Sequence, residues 1–372
     1  ISVLKNKSLT LIDGPSVKIL EKKISRLFGK KHGLMVNSGS SANLLGLASF
    51  DLEKGSEVIT PTLTFSTTLA PIYQLGLIPH FIDVDENTFT AKISQIKKAI
   101  NKKTKAIIIP NLLGNVPDWK EIYKIAKKYK LKIIEDCAHA IETKYKNKNT
   151  GTFGYTGCFS FYANKNITTG EGGMLICSDE KIAHKVEVMR LHGMSRDAWK
   201  RFWPGGTIPK KGKVWDHYDI KEVGLKYNMI DINAAIGIVQ LKKINNMLKE
   251  REKIVNFYRK NLIDLPIYFQ EEGGYNFKNA HHLFTVILDN KKTKKKRDFL
   301  LRYLHDNGIG AGVNYRSITS MTYYKKIFGW NSKTCKNANY IGNNILSLPL
   351  YAGLKKKEQN HIVKVLRKFF YN

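Results

Sequence analysis

Residues 160–174 read S-F-Y-A-N-K-N-I-T-T-G-E-G-G-M. Lys165 stands five positions after Ser160 and ahead of a run of small residues that closes on Gly170, Glu171, Gly172 and Gly173. Ala163 and Asn164 beside it are small or neutral, while Phe159, Phe161 and Tyr162 offer apolar walls. Such walls desolvate an ammonium and lower its pKa, the condition a Schiff-base lysine needs. The plain alternative is one more surface lysine beside a glycine turn. The stretch alone does not choose between them.

Outward from that stretch, toward the N-terminus, the pattern alternates. A capped amphipathic helix carries Val17, Leu20, Ile24 and Leu27 at helical spacing and leads into a short strand at 33–36. A small-residue turn, N-S-G-S-S-A-N at 37–43, then precedes a helix at 44–52. Strands are expected at 57–60, 80–84, 106–109 and 131–134, with helices at 65–74, 91–100 and 119–129 between them. Apolar strands alternating with amphipathic helices predict an α/β fold, a mainly parallel sheet covered on both faces. Ligands in such folds sit outside the carboxyl ends of the strands. Residues 38–41, Phe65 and Asp136 fall just beyond strand ends, so they are predicted to converge on one crevice. The serine-rich turn ahead of a helix is how backbone N–H groups are presented to an anion, and equally how an ordinary helix is capped.

Toward the C-terminus a returning strand is expected at 174–177 and a helix at 182–191. Residues 195–222 lack periodicity and read as a long excursion loop, usually functional or mobile in a compact domain. An apolar helix at 227–241 and a charged one at 249–260 follow. A strand at 281–288, a lysine-rich helix ending at 307, a strand at 310–315 and a terminal helix at 357–370 suggest a smaller α+β unit. The expected division is a large domain at 1–245 and a small one at 246–372.

Composition narrows the classes. The 372 residues carry a formal charge of +31, from 62 Lys and Arg against 31 Asp and Glu. Of those cations 52 are Lys and 10 Arg, spread along the chain without an arginine-rich arm or aromatic-basic alternation. That favours a solvated surface over a nucleic-acid partner. Cys137, Cys158, Cys177 and Cys335 show neither C-x-x-C pairs nor metal-ligand spacing, so no disulfide framework and no metal site is expected. No apolar run reaches the roughly 20 residues of a membrane span and no signal peptide is evident, so a cytoplasmic location is expected.

Seven landmarks in order carry a resemblance: S-G-S-S-A-N-L-L at 38–45, E-V-I-T-P-T-L-T-F at 57–65, I-I-E-D-C-A-H-A at 133–140, the 160–174 stretch, R-L-H-G-M at 190–194, K-Y-N-M-I-D at 226–231 and L-S-L-P-L-Y at 346–351. Along nearly its whole length the chain resembles the sugar aminotransferases of the DegT/DnrJ/EryC1/StrS family. The resemblance implies pyridoxal 5′-phosphate (PLP), with its pyridoxamine form during turnover, in the aspartate-aminotransferase-like fold type I. Lys165 then looks like the lysine that binds PLP as a Schiff base and moves the proton, and Asp136 like the carboxylate paired with the pyridine nitrogen. A helix-capping aspartate is the alternative for Asp136. Phe65 matches an aromatic stacked on the cofactor ring, against ordinary core packing. His139 matches a position contacting the cofactor from the Asp136 side, against a buried structural histidine.

Ser40 and Ser41 match residues whose backbone N–H groups bind the phosphate, joined by the Ser160 hydroxyl. Asn228 matches an asparagine that reaches the phosphate from the second subunit of a homodimer, against a helix cap. Arg190, His192, Tyr315 and Arg316 are implied on the sugar-nucleotide side, where an arginine pairs with a diphosphate. The implied reaction takes the amine of glutamate to a nucleotide-diphosphate keto-sugar, and T-T-G-E-G-G-M looks more like branches acting at C4 of a 4-keto-6-deoxy sugar. The alternative is the dehydratase branch, which residues 58–85 also resemble and in which a histidine replaces the lysine. A non-catalytic regulatory protein with a basic surface is the reading from another class.

Overall fold

The computed structural model describes residues 2–5, 11–194, 219–273, 276–329 and 335–371. Its centre is a seven-stranded sheet built from β1 (His32–Val36), β2 (Glu57–Pro61), β3 (Ile78–Ile82), β4 (Thr104–Pro110), β5 (Lys132–Asp136), β6 (Thr156–Ser160) and β7 (Gly173–Cys177). Across the sheet they run β1-β7-β6-β5-β4-β2-β3. β2 to β6 pair in parallel, and β7 runs antiparallel to both β6 and β1. The mainly parallel α/β sheet read from the sequence is the one present.

The isoleucine runs show why both faces are covered. Side chains alternate across a strand, so Ile108 and Ile134 join Leu45, Leu69 and Leu175 on one face, while Ile107, Ile109 and Ile133 meet Trp119, Ile122 and Ile125 on the other. The helices supplying those faces are α1 (Pro15–Leu27), α2 (Gly39–Ala48), α3 (Ser66–Gln74), α4 (Ile93–Ala99), α5 (Trp119–Tyr129) and α6 (Glu180–Met189). Cutting Ile108 to Ala would cost about 2–5 kcal/mol, because the site is closed on every side.

Three expectations are corrected. α2 begins at Gly39, not at 44, because the Ser38 side chain accepts the Ser41 N–H at 3.1 Å and caps the helix earlier. The two helices expected between 227 and 260 are one 32-residue helix, α7 (Asp231–Leu262). Buried Ile244 and Leu248 carry its apolar stripe across the polar Asn245-Asn246 seam, and residue 245, the expected domain limit, lies within it. The strand expected at 310–315 reduces to a single bridge from Gly312 to Ser347, since the segment leaves the small sheet to bring Tyr315 to the main one.

That small sheet is antiparallel and contains β8 (Ile267–Phe269), β9 (Phe284–Leu288) and β10 (Ile345–Leu348). Its helices α8 (Arg297–Asp306) and α9 (Lys356–Tyr371) share with α7 a core that includes Tyr258, Val286, Leu300 and Leu366. The excursion loop expected at 195–222 lies, up to residue 218, outside the described residues. Among those described, no helix is long and apolar enough to cross a membrane, and all four cysteines are free thiols.

Candidate active site

A parallel sheet sends its carboxyl ends to one edge, and at that edge a cleft of about 430 Å³ opens. This is the size of a small-molecule site. Ser38 to Ser40 follow β1, Phe65 follows β2, Asn111 follows β4, Asp136 ends β5 and Ser160 ends β6; all of them line it. Lys165, His139 and Tyr315 complete the wall. Of the predicted convergence of 38–41, Phe65 and Asp136, all but Ser41 line the cleft, and Ser160 and Lys165 stand there with them.

At one end lies the start of α2. First-turn N–H groups have no partner within a helix. Ser38 takes the Ser41 N–H, which leaves those of Gly39 and Ser40 without a partner among the described residues. Ser41 differs from expectation. Its hydroxyl donates to Asn37 Oδ1 at 2.6 Å and it does not line the cleft, so the free donors are Gly39 and Ser40 rather than Ser40 and Ser41. Close backbone approach explains the glycines here. A Cβ on Gly39 would stand 2.7 Å from Ser160 Cβ, and one on Gly173 would stand 2.3 Å from the Ser38 carbonyl carbon. The small residues of the 160–174 stretch thus let β7 and β6 close against the helix end.

Asp136 lines the same cleft. Its Oδ2 accepts from Asn43 Nδ2 at 2.9 Å and Thr68 Oγ1 at 2.7 Å, and its Oδ1 accepts the Ala138 N–H at 3.1 Å. With the Thr68 proton so committed, Thr64 donates to Thr68 at 2.7 Å. The carboxylate is held by a built shell, not left to cap a helix. Asn43 is the polar interruption in the apolar run of α2, a signal that a buried partner was needed.

Lys165 rises from residues 161–172, which carry no regular secondary structure. Its side chain is half-buried, and Nζ has no hydrogen-bond or ion-pair partner among the described residues. Burial lowers its pKa to about 8, with the Asp136 charge pulling the other way. Phe159 and Phe161, expected as its walls, lie instead in the core near Phe28 and Met174; Tyr162 alone of the three lines the cleft. Phe65 is 51 % exposed with its ring 5.4 Å from that of Tyr315, so it is a cleft aromatic and not a core one.

His139 is buried. Its Nδ1 accepts the Leu113 N–H at 3.2 Å, so Nε2 carries the proton and donates to the Tyr315 hydroxyl at 3.1 Å. Leu113 adopts φ 61°, unusual for leucine, and thereby aims that N–H. Burial, with Lys165 and His282 adding to it, pushes the His139 pKa well below the usual histidine value. Burial also pushes Tyr315 up to about 12, so the phenol keeps its proton.

Other sequence candidates land elsewhere. Arg190 does not line the cleft: it is 2 % exposed, and its guanidinium is spent on Glu21 at 2.7 Å, the Met35 carbonyl at 2.7 Å and Asp13 at 3.4 Å. It ties α1, β1 and the end of α6 together, away from the cleft. His192 is exposed and also outside the cleft, its N–H given to Leu225 O. Asn228 is buried beside β1 with Oδ1 taken by Lys226 Nζ at 2.6 Å, and it does not line its own chain's cleft. Arg316 is exposed next to Tyr315 and donates to Ser320 O at 3.1 Å. Sequence reasoning missed His282, Asn166, Glu142 and Arg251, a buried polar group around Lys165; the H-H pair at 281–282, just ahead of an apolar strand, was its visible trace.

The model of the DegT/DnrJ/EryC1/StrS aminotransferase family matches residues 1–367. The spore coat polysaccharide biosynthesis protein SpsC of Bacillus subtilis is 36 % identical over 358 residues, covering 96 % of this chain and 90 % of that protein. PseC of Helicobacter pylori, an aminotransferase in pseudoaminic acid biosynthesis, superposes with a TM-score of 0.88 at 27 % identity over 99 % of this chain and 94 % of its own. Spr1654 of Streptococcus pneumoniae, named as a sugar aminotransferase and solved in PMP and PLP forms, superposes in its PMP form with a TM-score of 0.88 at 26 % identity, covering 99 % of this chain and 94 % of its own.

Proposed function

The chain belongs to the DegT/DnrJ/EryC1/StrS family of PLP-dependent sugar aminotransferases, and from that premise we propose that it transfers the amine of glutamate to a nucleotide-diphosphate keto-sugar, at C4 of a 4-keto-6-deoxy sugar. The observation that carries the reading is Lys165: a half-buried lysine with no partner among the described residues and a lowered pKa, in a cleft that also holds free N–H donors and a carboxylate. A histidine at that position would mark the dehydratase branch.

The donor set fits PLP. The Gly39 and Ser40 N–H groups and the Ser160 hydroxyl would hold its phosphate at the positive end of α2. Phe65 would cover one face of the ring, and Asp136 would pair with the ring nitrogen. When bound, PLP supplies an electron sink for the charge left on the substrate carbon.

The chain's own residues do the rest. Asn43, Thr68 and the Ala138 N–H keep the Asp136 carboxylate aimed, and that aim costs no reorganisation during turnover. Lys165, with a pKa of about 8, is partly free amine near neutral pH, so it both attacks as a nucleophile and takes or returns a proton. His139, uncharged and donating to Tyr315, braces the wall between the cofactor and sugar ends. Tyr315 and Arg316 would meet the sugar nucleotide, and Asn228 would serve the cleft of a second copy in a homodimer.

The purified protein loaded with PLP is expected to be yellow and to lose that colour when glutamate is added. Incubation with nucleotide-linked keto-sugars, followed by mass analysis, is expected to give the amino-sugar. Protein that cannot be charged with PLP refutes the reading, and a product that has lost water without gaining nitrogen moves it to the dehydratase.

A further inference from the structure

Next to Lys165 in the chain, half-buried Asn166 joins a line of buried polar groups that the proposed reaction does not use. Arg251 is 4 % exposed and pairs with Glu142, which is 8 % exposed. Asn166 Nδ2 donates to the other Glu142 oxygen at 2.5 Å and to the Ala280 carbonyl at 2.8 Å. Arg251 reaches the same carbonyl at 3.3 Å. With both donors of Asn166 spent, its Oδ1 lies 2.9 Å from His282 Nδ1. An amide oxygen only accepts, so His282 holds its proton on Nδ1 and keeps a lone pair on Nε2. That ring lies 4.4 Å from the ring of His139, which holds the opposite tautomer.

Asn166 is the next residue after Lys165, in a segment that neither helix nor strand holds in place. The Lys165 N–H gives one bond to the Tyr162 carbonyl at 3.0 Å inside that segment, and the Asn166 amide, with its three hydrogen bonds, ties the segment to elements outside it. We infer that the Arg251–Glu142–Asn166–His282 line is a positioning device for Lys165, tying down the residue that follows it and setting an uncharged imidazole against His139 of the cleft wall. Arg251 compensates Glu142, so the line brings no net charge to the amine. The other ionisable groups close by are Asp136, His139 and Tyr315, all described above. Burial lowers the His282 pKa well below the usual value, with Lys165 and Arg251 adding to the effect, which accords with a neutral ring.

This inference rests on Lys165 as the cofactor-bearing residue, so wild-type protein is the first arm of the test. Wild type, Asn166→Ala, Glu142→Gln and His282→Asn are loaded with PLP, checked for fold by circular dichroism, and their visible absorbance is titrated against pH. His282→Asn keeps a donor toward Asn166 Oδ1 but lacks the ring that packs on His139, so it separates the tether from the imidazole contact. The Asp136 carboxylate favours the protonated form of a nitrogen held near it, so letting Lys165 drift is expected to lower the titration midpoint by about half a unit or more. kcat is expected to fall at least about threefold while KM for the keto-sugar stays unchanged. Wild type without a visible band would sink the assignment of Lys165. A wild-type band together with an unchanged midpoint in the folded variants overturns this inference alone; should Asn166→Ala and Glu142→Gln fail to fold, the His282→Asn midpoint decides.

Discussion

Arg190→Met separates two roles. An arginine that pairs with a diphosphate would, once removed, raise KM and leave the fold alone. The geometry requires the reverse. Removing one partner from a buried ion pair costs about 3–5 kcal/mol, because the remaining charge is left uncompensated. Here Lys18 lies 2.8 Å from Asp13 and 3.5 Å from Glu21, and Glu21 also keeps the Met35 N–H at 2.9 Å. That residual compensation puts the loss at the low end, about 3 kcal/mol. With a slope of about 3 kcal/mol per molar urea, the unfolding midpoint should drop by about 1 M. Adding Glu21→Gln to Arg190→Met removes one of the stranded charges and should recover part of the loss, a coupling of about 0.5–3 kcal/mol. Urea unfolding followed by tryptophan fluorescence reads both, and steady-state kinetics on the same proteins reads KM. An unchanged midpoint with KM for the sugar nucleotide raised about tenfold would refute the structural role and restore the residue to the substrate side.

Lys165→Ala is expected to abolish turnover yet unfold within about 0.5 kcal/mol of wild type, since Nζ holds no partner; wild-type rates would show that another residue carries the amine chemistry. The rate of PLP loading should rise with pH to a plateau with a midpoint of about 8, because only the free amine of Lys165 attacks, and a stopped-flow rate that is flat across that value would contradict the lowered pKa. Glu135, fully buried, accepts the N–H groups of Gly151, Phe153 and Gly154 at 2.6, 2.5 and 2.7 Å, so Glu135→Gln turns an amide N–H toward a donor and should cost about 1–3 kcal/mol in a denaturant melt. Burial raises its folded pKa to about 7 from an ordinary 4.5, so its stabilising contribution is complete below about pH 4.5 and is lost as pH rises through about 7. The wild-type stability curve should fall across that window more steeply than that of the variant, and parallel curves would show that Glu135 does not titrate there.

The difference between Lys165 and Arg190 shows what the sequence made legible and why. Asp136, Phe65 and Ser40 share a crevice because each lies at or just past a strand end, and a parallel sheet brings strand ends to one edge whatever the side chains are; Lys165 reaches the same crevice from the loop after β6. Local pattern plus one topological rule was enough for them. Arg190 sits in a landmark as firm as theirs, R-L-H-G-M, yet its partners Asp13 and Glu21 lie 177 and 169 residues away, a relation no periodicity encodes. A landmark marks a position where a side chain is needed without saying whether the need is chemical or structural. Burial among carboxylates of the chain's own core marks the structural case, and half-burial in a cleft with no partner among the described residues marks the chemical one. Ser38 joins the two in a single residue. By accepting the Ser41 N–H with its hydroxyl oxygen it starts α2 five residues earlier than apolar spacing suggested, and the same cap leaves the Gly39 and Ser40 donors at the cleft. The misplaced helix start and the misassigned Ser41 are thus one error with one cause: capping strength, which outranks apolar periodicity over the first turn of a helix.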